Sequence, residues 1–205
     1  MSTWAIVVAG GSGERFGQRK QYLALGGERV LDWALRSAAE GSDGVVLVVP
    51  ADQADAAEPL ATAVVPGGAT RSASVRAGLA AVPDDAAVIL VHDAARPVPV
   101  PGVWQRVRAA IEAGADAAVP AVPVSDTLRD LAGGTVDRSR LVAVQTPQAF
   151  RARALRAAHA GAPDGTDDAS LVEAAGGRVV VVDGDPANIK ITTPVDLSLA
   201  ELLCR

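Results

Sequence analysis

Cysteine, lysine and histidine are nearly absent from the 205 residues: one cysteine, two lysines and two histidines. The lone Cys204 excludes an internal disulfide and stands beside the carboxyl terminus, away from every glycine-rich or charged motif, so it reads as inert. No apolar run approaches the roughly 20 residues of a membrane span. The first residues run straight into a strand-like segment with no basic stretch or small-residue cleavage site, and a cytoplasmic protein is expected. Positive charge is also short. A net charge of −5 and a pI near 5.0 exclude a general nucleic-acid surface, which needs a dense basic face. A polyanionic substrate therefore requires a local basic pocket. Of 19 basic residues only Lys20 and Lys190 are lysine. Either two lysines survived by accident in an arginine-biased chain, or they stand where a compact point charge cannot be exchanged for a planar fork.

What is plentiful is apolar: 49% of the residues, at a mean hydropathy of +0.24, enough for one sizeable core. "WAIVVA" (Trp4–Ala9) is a continuous apolar run, as a parallel strand covered on both faces should be. Helix-spaced "VLDWALRSAAE" (Val30–Glu40) and strand-like "GVVLVV" (Gly44–Val49) follow. The alternation predicts a helix near Asp52–Leu60, a strand at Ala63–Val65, a helix at Ser72–Val82 and the strand "AVILVH" at Ala87–His92. A helix from about Pro101 to Gly114 and a strand at Ala117–Val122 come next. The expected fold is α/β, a three-layer α/β/α sandwich around a doubly wound, mostly parallel sheet. Pro123–Phe150 breaks the alternation: two short segments flank Ala132–Gly134, which predicts a β-hairpin. It is too poor in apolar residues for its own core, so it lies on the sheet or reaches a partner. A helix at Arg151–Ala160, another starting at Thr166–Ala169, a strand at Arg178–Asp183 and a last helix with Thr193 as N-cap, Pro194 and Asp196 complete a single domain, residues 1–205.

Ligands of such sheets bind beyond the carboxyl ends of the strands. After the first strand stands "GGSGERFGQRKQY" (Gly10–Tyr22). It lacks the third glycine of a dinucleotide fingerprint, the Gly-Lys-Ser/Thr of a Walker loop and the last glycine of a nucleophile elbow. What remains is a backbone loop able to wrap phosphates, followed by the cations Arg15 and Lys20. The glycines alone also fit an ordinary turn. "GGATRSASVRAGL" (Gly67–Leu79) puts glycines before a helix start, a weak signal by itself. In "VHDAARP" (Val91–Pro97), Asp93 closes a buried strand. It either holds Mg²⁺ bridging substrate phosphates or pairs with Arg96. His92 faces the other way and reads as a packed histidine, and His159 reads as a helix-surface residue. "PANIKITTPVDL" (Pro186–Leu197) brings Lys190 to the start of the last helix.

"AGGSGERF", "KQYLALGG", "GGATRSASVRAGL", "VHDAARPV", "SDTLR", "QTPQAF", "TDDASLVEAAG" and "NIKITTPVDL" occur in this order. The ordered set resembles the 2-C-methyl-D-erythritol 4-phosphate cytidylyltransferases of the non-mevalonate isoprenoid pathway and spans nearly the whole chain. The resemblance implies a nucleotidyltransferase-like fold in which the loop with Ala9, Gly10, Gly11 and Gly13 wraps the CTP phosphates. It implies that Arg15 and Lys20 stabilise charge on the α-phosphate, that Asp93 binds Mg²⁺, and that Gly68 and Ser74 contact the cytidine. It further implies that Lys190 positions the sugar-alcohol phosphate and touches the reacting phosphate, and that Arg96, Thr146 and Thr192 add contacts around it. The hairpin, about residues 123–145, corresponds to a dimerisation arm whose Thr127 and Arg138 reach the neighbouring subunit's pocket, giving a homodimer. The alternatives are the sister enzyme acting on ribitol 5-phosphate and a non-catalytic nucleotide-binding protein; "DAARP" with Ala95 leans to the erythritol enzyme, and the joint presence of Arg15, Lys20, Asp93 and Lys190 leans against mere binding. The chain departs from the family pattern in a loop about two residues shorter between Arg15 and Lys20, in Arg19 where proline is usual, and in Ala69 and Ala187 where acids are common. Asp185 is a candidate replacement for the latter acid.

Overall fold

The structure is a computed structural model that describes residues 1–10 and 18–204. Gly11, Gly13 and Arg15 therefore lie outside the described residues. Beyond a short antiparallel ribbon of β2 (Ala24–Leu25) and β3 (Glu28–Arg29), four parallel strands form the centre: β1 (Thr3–Val8), β4 (Gly44–Val49), β5 (Ala63–Pro66) and β6 (Val88–Asp93). β1 lies between β4 and β6, and β5 pairs with the outer side of β4. On the other side of β6 comes β11 (Gln148–Arg151), antiparallel, then β7 (Ala117–Pro123) and, parallel to it, β12 (Val179–Asp183). Every residue of β4 is buried, which explains why its sequence shows no alternation: both faces are covered.

The covering helices divide by side. Ala5 and Val7 of β1 pack with Leu31, Ala34, Leu35 and Ala38 of α1 (Val30–Gly41) and with Trp104, Val107 and Ile111 of α3 (Pro101–Glu112). Ile6, one residue out of phase, faces α2 (Arg71–Ala81), α4 (Ala152–His159) and α5 (Asp168–Ala174) through Val75, Leu79, Leu155 and Leu171. The period-two strand thus separates two cores, giving the expected three layers. A third cluster gathers Leu25, Val30, Val103 and Ile191 under α6 (Pro194–Leu203). That helix begins as its sequence suggests, with Pro194 in the first turn and the Thr193 N–H donating to Asp196 at 2.7 Å. Among the described residues no helix is long and apolar enough to cross a membrane.

Three expectations need correction. Asp52–Leu60 is not a helix: a 3₁₀ turn at Ala51–Gln53 gives way to irregular chain. Only alanines repeat there, too little apolar surface to anchor a helix, and the backbone instead turns Glu58 inward to Arg29, 2.7 Å away. The Pro123–Phe150 segment is only partly a hairpin. Its tip pairs Leu128–Arg129 (β8) with Thr135–Val136 (β9), whereas Val142–Val144 (β10) returns to pair with β7, on the same side as β11. Finally, His159 is buried, 5% exposed, with Nε2 3.0 Å from Asp168.

Candidate active site

The parallel register of β1, β4, β5 and β6 brings the loops after them to one edge. Ala9, directly after β1, is fixed by its N–H to the Val48 carbonyl at 2.7 Å and by the Gln21 amide, which donates to its carbonyl at 2.7 Å. Gly10 follows, and a Cβ there would lie 3.5 Å from Ser74 Oγ. Across the crevice Gly68 donates its N–H to the same Ser74 Oγ at 3.2 Å, while a Cβ on Gly68 would come within 2.5 Å of the Ala73 Cβ. Only glycine therefore lets the loop close onto the start of α2. Thr70 caps that helix by accepting from the Ala73 N–H.

Asp93 ends β6 at the centre of this edge. Lys190 Nζ donates to its Oδ2 at 2.6 Å, and Arg71 Nε stands 3.5 Å from Oδ1. Burial pushes the carboxyl upward, but Lys190, Arg71 and Arg96 together outweigh it and bring it down to about 2. The group is an anion at neutral pH. Its backbone N–H donates to Thr146 Oγ1 at 3.0 Å, and the same hydroxyl lies 3.1 Å from His92 Nδ1. The His92 side of the strand is a packing side: the ring is 5.1 Å from Trp104, its Nε2 faces the Arg96 carbonyl, and burial lowers its pKa to about 4, so it stays neutral.

The alternative of an Asp93–Arg96 ion pair does not describe this arrangement. Arg96 donates from Nη1 to the Asn188 carbonyl at 2.6 Å and from Nη2 to the Val144 carbonyl at 3.3 Å. Its Nε is buried without a partner among the described residues. Asn188, fully buried, donates to the Thr146 carbonyl at 2.9 Å, in the short segment that precedes β11. Thr192 donates its hydroxyl to Asp196 at 2.7 Å, and the Asp185 carboxylate accepts from the Ala187 N–H at 2.8 Å, so both are engaged locally. Lys20 opens a 3₁₀ turn, Lys20–Tyr22, and the preceding Arg19 forms a two-point ion pair with Asp52 at 2.6 and 3.0 Å. Thr127 and Arg138 are exposed on the arm and make no side-chain hydrogen bond or ion pair among the described residues. The Cys204 thiol is half-buried, and burial pushes it up to about 11.

Arg71 is the site residue that sequence reasoning missed. It lies inside a motif already singled out, but its two partners, Asp93 and Asp168, come from distant strands and helices. A signal was present in "TDD": one aspartate suffices to cap α5, and Asp167 does so, leaving Asp168 spare. Chemically the edge offers, among the described residues, an ionised carboxylate, two cations on it, and backbone amides and hydroxyls nearby. That set suits positioning and charge stabilisation of phosphates.

The family model for 2-C-methyl-D-erythritol 4-phosphate cytidylyltransferase matches residues 3–205. A protein of that name from Nocardia farcinica is 47% identical, the alignment covering 98% of this chain and 94% of the relative. One from Rhodococcus opacus is 46% identical over 97% of this chain and 93% of its own. The crystal structure of 2-C-methyl-D-erythritol 4-phosphate cytidylyltransferase from Thermus thermophilus covers both chains completely, with a TM-score of 0.85 at 39% identity.

Proposed function

The chain belongs to the 2-C-methyl-D-erythritol 4-phosphate cytidylyltransferase family, and from that premise we propose that the crevice around Asp93 is where its reaction takes place. The protein is a nucleotidyltransferase of the isoprenoid pathway that transfers CMP from CTP to 2-C-methyl-D-erythritol 4-phosphate. The observation that carries the site assignment is the ionised Asp93 carboxylate with Lys190 at 2.6 Å, at the carboxyl ends of the parallel strands.

The reaction is an in-line displacement. An oxygen of the methylerythritol phosphate bonds to the α-phosphorus of CTP, the bond from that phosphorus to the bridging oxygen breaks, and pyrophosphate leaves with the electron pair. The attacking phosphate is already a dianion at neutral pH, so no general base is required and positioning carries the catalysis. The loop of Ala9, Gly10, Gly11 and Gly13 offers backbone N–H groups to the triphosphate. Arg15, Lys20 and Lys190 stabilise the charge that builds on the α-phosphate. Gly68 and Ser74 face the cytidine. Arg96, Thr146 and Thr192 hold the acceptor together with Thr127 and Arg138 of the partner subunit.

The residues present fit Mg²⁺. Among the described residues no group of three or more His, Cys, Asp or Glu could cage a metal. A single ionised carboxylate sharing the ion with substrate phosphates is the usual manner of Mg²⁺. Asp93 would hold it, and the ion supplies charge neutralisation across the triphosphate. The homodimer is supported by apolar surface on the arm: Leu131, Leu141, Val142 and Val144 are exposed although β10 is part of the sheet. We take residues 1–205 as one domain with the arm at about 123–145, and the nucleoside triphosphate substrate supports a cytoplasmic setting. Pyrophosphate release with Mg²⁺, CTP and either methylerythritol phosphate or ribitol 5-phosphate tests the reading. Release with the first acceptor is expected; release with ribitol 5-phosphate alone, or with neither, overturns it.

A further inference from the structure

Behind the crevice lies a carboxylate that the reaction as described does not use. Asp168 is wholly buried, yet it does not cap its own helix, since Asp167 accepts the Ser170 N–H. Both of its oxygens are committed sideways. Oδ1 is 3.0 Å from His159 Nε2, and Oδ2 is 2.7 Å from Arg71 Nη1. Burying a carboxylate is costly unless its partners are well placed, and apolar side chains replacing the whole Asp168–His159–Arg71 cluster would serve stability at least as well. Arg71 then reaches forward, its Nε 3.5 Å from Asp93 Oδ1. The two ends of this guanidinium are unequal: a short, buried bond at the back and a longer contact at the front. Because the guanidinium is planar and rigid, fixing Nη1 fixes where Nε points. The orientation is therefore imposed from the Asp168 side and delivered to Asp93.

We propose that Asp168 is a positioning residue for Asp93, acting through Arg71, so that the Asp93 carboxylate is held between Arg71 on one oxygen and Lys190 on the other. This rests on the crevice being the site of cytidylyl transfer. Lys190 alone, 40% exposed on a flexible stem, cannot fix the carboxylate plane. Arg71, held from behind, completes the restraint from the opposite oxygen. Supporting residues of this kind typically contribute about 10- to 100-fold to metal affinity or activity.

The test is a double-mutant cycle of Asp168→Asn and Arg71→Met on the full chain, read by steady-state kinetics and by calorimetric affinity for Mg²⁺·CTP without acceptor. Each single variant is expected to lower kcat and Mg²⁺·CTP affinity by about 10- to 100-fold, with KM for the methylerythritol phosphate within about twofold of wild type. The double variant should be no worse than Arg71→Met, because Asp168 then has nothing to orient. Additive losses, or a KM effect confined to the acceptor, overturn the proposal. Should Asp168→Asn fail to fold, normal kcat and normal Mg²⁺·CTP affinity in Arg71→Met alone overturn it as well. Turnover by the wild-type enzyme in the same assays separates failure of this inference from failure of the site assignment.

Discussion

Removing the Lys190 ammonium should separate stability from catalysis, and the size of the separation follows from its surroundings. The Lys190–Asp93 pair is 2.6 Å long with the lysine 40% exposed. At that distance a water-like dielectric allows about 1.6 kcal/mol of attraction. Ordering a lysine side chain costs up to about 2 kcal/mol. Asp93 itself is only 13% exposed, but the solvated ammonium keeps the net contribution to folding within about 1 kcal/mol. Arg71 remains 3.5 Å from Asp93, so the carboxylate is not stranded when Lys190 goes. For a chain of this size 1 kcal/mol shifts Tm by about 2–4 °C. On the proposed assignment the same ammonium faces charge building on a phosphate in the transition state, where losing one such preorganised group typically costs about 10²–10³ in kcat, roughly 3–4 kcal/mol. Lys190→Ala is thus expected to melt within a few degrees of wild type while pyrophosphate release, measured with both substrates saturating, falls by about 10²–10³. Near-normal turnover would refute the catalytic assignment, and a collapse in Tm would refute the claim that the lysine is dispensable for folding.

Subunit complementation tests the arm: if the proposed homodimer shares its sites, Arg138→Ala and Lys190→Ala chains, each impaired alone, should regain up to about a quarter of wild-type activity when unfolded and refolded together, since half the dimers would be mixed and each would have one intact site. No recovery would mean that Arg138 serves its own subunit or neither. His92 ties stability to pH. Its folded pKa, lowered by burial to about 4 from 6.5, means that the unfolded chain binds the extra proton between those values, so its contribution costs about 3 kcal/mol of stability as pH falls from 6.5 to 4 and no more below that. Urea melts of metal-free protein should show that slope, and His92→Gln should lack it. Arg19 has φ of −74°, which proline also adopts, so Arg19→Pro is expected to fold and turn over normally; a large drop in kcat would show that the Asp52 ion pair itself holds Lys20.

Much of this arrangement was legible because its signals are local. Continuous apolar runs such as Gly44–Val49 announce strands covered on both faces, and the alternation of strands with helices implies which edge binds ligands. The lysine scarcity singled out Lys190, and Lys190 does sit on the carboxylate that closes β6. What stayed hidden depends on contacts between distant segments. The Arg71 bridge exists only because α2 and α5 pack on the same face of the sheet. His159 reads as a surface residue on a short helix until Asp168 is brought against it. The Asp52–Leu60 segment reads as helical by its alanines, yet the pull of Arg29 on Glu58 decides its path. Periodicity reports which face of an element is apolar, not which charged groups will meet across the core.

The return path of the arm has a consequence for how chains of this kind can change in length. Val142–Val144 pairs with β7, and after only Gln145–Pro147 the chain pairs with β6 and β7 again as β11. Within that gap Gln145 donates to the Asp185 carbonyl at 2.8 Å, and the Thr146 hydroxyl accepts from the Asp93 N–H. An inserted or deleted residue there would invert every side chain on one flank and move Asp93's support by a full strand step. At the tip, between Arg129 and Thr135, the chain is exposed, and extra residues would cost little beyond loop closure. Length variation among such chains should therefore gather at the far end of the arm, leaving the few residues at its root constant in number even where their identities drift.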